Sequence, residues 1–71
     1  METTQLHRKV AKRVSALLKD RAKSAEKLAL EIGLSRGYIY EFLNGKKRAS
    51  LETLRRIANG LDVKVKDLIP D

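Results

Sequence analysis

The chain contains no cysteine. That absence excludes a disulfide-stapled scaffold, a thiolate metal site and a cysteine nucleophile. A single histidine, His7, is too few for a zinc cluster of His and Cys ligands. Tryptophan is missing, and the only aromatics are Tyr38, Tyr40 and Phe42. No run approaches the ~20 apolar residues that span a bilayer. The N-terminus lacks the apolar centre of a secretion signal, so a cytoplasmic location and no membrane partner are expected. The scattered Asp and Glu form no pair placed for acid–base work, and Ser15 has neither a second His nor an acid beside it. A helical chain of this size seldom spares an active-site pocket. No enzyme, no cofactor, no metal and no small-molecule ligand are therefore expected.

What is present is positive charge. Sixteen Lys and Arg against nine Asp and Glu give a net charge of +7 over 71 residues. The excess is uneven. Residues 1–48 hold 12 of the basic and 5 of the acidic residues, while residues 49–71 hold four of each. One region of the surface is basic and another neutral, which points to a polyanionic partner, most often nucleic acid. The length fits one domain over residues 1–71, with nearly all the apolar residues in one core or completed by a second chain.

Apolar residues recur with helical spacing throughout, and no stretch alternates with period two. The first helix is expected from about Thr4 to Arg21, capped by Thr3 or Thr4. Leu6, Val10, Val14, Leu17 and Leu18 lie on one face of it, with Arg8, Lys9, Lys12 and Arg13 on the solvated faces. Ser24 caps a second helix with Leu28, Ala29 and Ile32 inward, and Gly33 suits the left-handed residue that follows. Ser35 caps a third, about Arg36 to Asn44, with Ile39 and Phe42 inward. Asn44-Gly45 ends it. Lys46-Lys47-Arg48 forms a basic loop. Ser50 caps a fourth helix, about Leu51 to Asn59, with Leu51, Leu54, Ile57 and Ala58 on one face and Gly60 closing it. A short fifth helix is expected near Val65 to Ile69, stopped by Pro70. The fold class is all-α with five helices.

Residues 25–44, AEKLALEIGLSRGYIYEFLN, read as helix, tight turn and helix. Ala29 is small enough to let the third helix approach the second, and Gly33 permits the turn. Leu34 and Ile39 fill the corner. This stretch, with NGKKR and SLETLRRIANGLDV after it, resembles the helix-turn-helix of the phage repressor and Cro family of bacterial regulators. The resemblance spans nearly the whole chain. It departs from the family at Ala25, where Gln is frequent, and at Lys23, which is often apolar. It departs again at Leu18 and Leu43, where the family often pairs Arg with Glu. Exchanging both members of an ion pair for apolar groups need not destabilise.

The resemblance implies a compact DNA-binding domain. The second helix would cross the DNA backbone, with Ser24 and the amides of Ala25 and Glu26 on a phosphate. Lys23, Asn44, Lys46, Lys47 and Arg48 would hold further phosphates. The third helix would enter the major groove, with Arg36, Gly37, Tyr38, Tyr40 and Glu41 toward the bases. Arg36 can pair with guanine O6 and N7, and Glu41 can accept from cytosine N4. Tyr40 offers a ring to a thymine methyl, and Gly37 lets the backbone come close. The expected function is a sequence-specific regulator of transcription, a homodimer on double-stranded DNA, acting by promoter occlusion or contact with RNA polymerase. Residues 60–71 supply the candidate dimer surface, Leu61, Val63, Val65, Leu68 and Ile69, shared with closure of the protomer core. Two other uses of the fold stay open from sequence: an antitoxin-type protein-interaction module, and a non-specific nucleic-acid-binding protein.

Overall fold

The computed structural model describes residues 3–69. Helix α1 spans Thr3–Asp20, α2 Ala25–Ile32, α3 Arg36–Leu43 and α4 Leu51–Gly60. A single 3-10 turn, Val65–Leu68, stands where a fifth helix is expected. Ile69 after it is extended, with φ −101° and ψ 116°. A following proline drives its predecessor to that conformation, which explains why the turn ends at Leu68. Pro70 itself lies outside the described residues, as do the side chains of Thr3 and Thr4. There are no strands among the described residues.

The three serine caps form as their positions predict. Ser24 Oγ accepts from the Lys27 amide at 3.0 Å, Ser35 Oγ from Tyr38 at 3.0 Å and Ser50 Oγ from Thr53 at 3.2 Å. Each such cap typically contributes about 1 kcal/mol. The helix ends also share one solution. Lys23, Leu34, Lys46 and Val63 each return an amide to the carbonyl five residues back, on Leu18, Ala29, Glu41 and Ala58. The residue before each return is left-handed: Ala22 (φ 51°), Gly33 (76°), Gly45 (77°) and Asp62 (58°). This is the Schellman termination, usually made with glycine. Gly60 therefore has a different job from the one its position suggests. It lies inside α4, and the left-handed residue is Asp62 two positions on. A Cβ at Gly60 would come within 2.6 Å of Leu28 Cδ1 and 2.8 Å of Ile32 Cγ2, so glycine is there to let α4 lie close on α2.

The core joins every element. Val14, Leu28, Ile39, Ile57, Leu61 and Leu68 are fully buried, with Val10, Leu18, Ala29, Phe42 and Ala58 around them. Helix α2 packs on α3 and α4, α1 on α3, and the 3-10 turn bridges α1 and α4. Arg13 Nε donates to the Asp67 carbonyl at 2.9 Å and ties that turn to α1. Leu18 is in the core and Leu43 packs against it, so both residues that replace the family's ion pair rest in apolar surroundings. Two inward expectations are corrected. Leu6 and Leu51 are exposed, at 37% and 63%. Each sits near the start of its helix, where its stripe has run past the edge of the core. Ala11, which the helical stripe omits, is buried.

Candidate nucleic-acid interface

The turn between α2 and α3 is set by one carbonyl. Ala29 O accepts both the Gly33 and the Leu34 amides. Gly33 is left-handed, yet a Cβ on it would meet nothing. Backbone conformation rather than space demands glycine there. With the corner fixed and Ile39 and Phe42 locked into the core, the opposite face of α3 is turned to solvent. Arg36, Gly37, Tyr40 and Glu41 are all exposed on it.

Gly37 has neither a positive φ nor a neighbour within 4 Å of a Cβ. The protein's own packing gives no reason for glycine at this position, so it leaves open backbone on the exposed face of α3. Arg36 Nη1 donates to Glu26 Oε2 at 2.7 Å. The hydrogen bond from Arg36 and then its charge hold the Glu26 carboxyl below its ordinary value, with a smaller contribution from the Tyr40 hydroxyl. The same pairing raises Arg36 further. Arg36 and Glu26 thus form one polar cluster where the first turns of α2 and α3 meet. The sequence pattern assigns Glu26 only its backbone amide. Nothing in the local pattern marks a pairing between residues ten positions apart on different helices.

Around this cluster the phosphate candidates divide. Ser24 gives its oxygen to the Lys27 amide, which leaves the Ala25 and Glu26 amides without intrahelical partners at the open end of α2. Asn44, Lys46, Lys47 and Arg48 are exposed at the other end of α3. Lys47 lies 4.0 Å from Glu41 and 5.9 Å from the centre of the Tyr38 ring. Lys23 does not join them. Its ammonium donates to Glu31 Oε1 at 2.6 Å and to the Gly60 carbonyl at 2.9 Å. With two of three donors spent inside the protein, its work is to fasten α2 to the end of α4. Tyr38 is likewise drawn inward. It packs partly against the core, and its hydroxyl donates to the Arg48 carbonyl at 2.9 Å. It braces the basic loop instead of projecting from α3.

The candidate dimer residues also separate. Leu61 and Leu68 are buried in the protomer and have nothing left to offer a second copy. Val63 and Val65 are half-buried against the same core. Only Ile69 is exposed. It lines an apolar groove of about 120 Å³ with Leu6, Val10, Ala49 and Leu54, and with His7, which is half-buried there.

Among the described residues no cluster of His, Asp and Glu could hold a metal ion, and no helix is long and apolar enough to cross a membrane. The helix-turn-helix family's sequence profile matches residues 14–68. The fold superimposes on the restriction-modification controller protein C.AhdI from Aeromonas hydrophila with a TM-score of 0.85 and 28% identity, covering 89% of this chain and 96% of that one. It superimposes equally well on the clp gene regulator ClgR from Corynebacterium glutamicum, at TM-score 0.85 and 25% identity, over 89% of this chain and 67% of that one. A hypothetical transcription factor, NHTF from Neisseria, shares the fold over 99% of this chain and 82% of its own, at TM-score 0.88 and 22% identity. No curated protein matches by sequence.

Proposed function

The chain belongs to the helix-turn-helix family, and from that premise we propose that it is a DNA-binding regulator of transcription, acting as a homodimer on an operator. The observation that carries this reading is the exposed face of α3. Arg36, Gly37, Tyr40 and Glu41 stand free of the core between the open end of α2 and the basic loop. A helix with that flanking fits a major groove, with its side chains on base edges and its flanks on the two phosphate walls. Ala25 and Glu26 amides serve one wall, and Asn44, Lys46, Lys47 and Arg48 the other. C.AhdI and ClgR are both described as regulators, which favours this reading over an antitoxin-type module.

One recognition helix reads only a half-site, so a second copy supplies the other half. The surface for it is the groove at Ile69, lined also by exposed Leu6. Phosphate neutralisation dominates affinity, so binding weakens steeply with salt. Placed on a promoter, such a dimer occludes RNA polymerase or contacts it, and the protein works in the cytoplasm where DNA is.

The experiment is selection of bound duplexes from a random pool at near-physiological salt. An enriched palindrome with half-sites ~34 Å apart, one helical turn, is expected. Salt-sensitive binding with no enriched sequence would replace this reading with a non-specific nucleic-acid-binding role. Absence of DNA binding together with a tight co-purifying protein would replace it with a protein-interaction module.

A further inference from the structure

Arg36 is the one base-reading candidate on α3 that is ion-paired at short range, and its partner sits on the other helix of the motif. We propose that Glu26 is a specificity-determining residue: by holding Arg36 it presents that side chain to a base and withholds its charge from phosphates. The inference rests on reading α3 as the groove-facing helix and names how that face is made selective.

Two observations carry it. The first is geometry. The Glu26 contact engages Nη1 of Arg36 at 2.7 Å. A guanidinium has five donors in a planar fork, so a two-donor edge remains for guanine O6 and N7 while Nη1 stays held. An unheld arginine in this place, with its side chain 70% exposed, samples many rotamers and takes whichever phosphate is nearest.

The second is the location of the carboxylate. Glu26 is in the first turn of α2, where helix amides invite a phosphate. A bare carboxylate there would repel it. With Arg36 bound, the pair is neutral and the amides remain usable. The pair therefore adds nothing to general affinity, while the loop cations supply it. The Lys47–Glu41 approach, at 4.0 Å, is loose by comparison.

The test compares wild type, Glu26→Gln, Arg36→Ala and the double variant on the enriched duplex and on a scrambled duplex of equal length. Glu26 is exposed and Ser24 still caps α2, so Glu26→Gln keeps the fold, which a thermal melt checks. Glu26→Gln should strengthen scrambled-duplex binding about threefold or more, and steepen the slope of log K against log salt by about 0.9 as Arg36 turns to phosphate. The ratio of enriched to scrambled affinity should fall about tenfold. In the Arg36→Ala background the same change should move both duplexes equally. A ratio unchanged by Glu26→Gln, or an equal effect of that change in both backgrounds, overturns the inference. A wild-type protein that prefers no duplex defeats the underlying reading first, and this inference with it; that failure shows in the wild type alone.

Discussion

Lys23 and Gly60 are 37 positions apart in the chain, and the Lys23 ammonium donates to the Gly60 carbonyl at 2.9 Å. The same ammonium binds Glu31 at 2.6 Å. One side chain before α2 thereby joins both ends of α2 to the last residue of α4, where the helix backbones already approach closely enough to require glycine.

Lys23→Met should lower stability by about 1 kcal/mol, since a charged hydrogen bond is lost from a partly exposed site, and should leave DNA affinity unchanged. Glu31 is held below its usual 4.5 chiefly by the Lys23 hydrogen bond. A carboxyl with a depressed folded pKa stabilises fully above its unfolded value and loses that contribution as pH falls through the folded one. Thermal melts taken downward from about pH 6 should therefore show wild type losing stability below about 4.5 faster than Lys23→Met. Equal acid sensitivity, or weakened DNA binding by the variant, would contradict this account.

Gly60→Ala should be destabilising although alanine favours helix. The added Cβ would meet Leu28 and Ile32 at 2.6 and 2.8 Å. Overpacking of this kind costs about 1–3 kcal/mol, more than the ~1 kcal/mol of propensity gained. Denaturant unfolding measures the balance, and a more stable variant would mean that α2 and α4 are not held in this close contact.

Gly37→Ala separates packing from binding. Its Cβ enters open space, so folding stability should rise by up to about 1 kcal/mol. DNA affinity should fall if the α3 backbone lies against base edges. Unchanged affinity, beside the increased stability, would place Gly37 away from the groove floor.

Ala22 and Asp62 occupy left-handed positions that glycine takes at the other two helix ends. The left-handed region costs an L-residue about 1–2 kcal/mol, and glycine's extra unfolded entropy returns part of that. Ala22→Gly and Asp62→Gly should each raise stability by about 0.5–1 kcal/mol. Loss of stability in a melt would count against the strain.

Tyr38→Phe removes only the hydroxyl that donates to Arg48. Stability should drop by about 1 kcal/mol. Binding to enriched and scrambled duplexes should weaken in equal proportion if the loop that loosens holds phosphates, as proposed. A change in base preference would instead return Tyr38 to the groove.

What the sequence alone determined is what depends on near neighbours along the chain. Serine caps, the left-handed Gly33, the inward stripe of Leu28, Ile39, Phe42 and Ile57, and the exposed positions of Arg36, Tyr40 and Glu41 all follow from helical periodicity and local hydrogen bonding. The family resemblance drew on the same short-range pattern. What only the tertiary structure decided is how side chains are spent across helices. Lys23 and Tyr38, read as DNA-facing, are consumed by Gly60, Glu31 and Arg48. Leu61 and Leu68, offered to a second copy, fill the protomer core. Gly60, read as a helix stop, makes room for α2, and Glu26, read for its amide, takes hold of Arg36. Each turns on a contact between residues that periodicity does not relate, since the distance between two helices is set by the packing of the whole core and not by any segment of it.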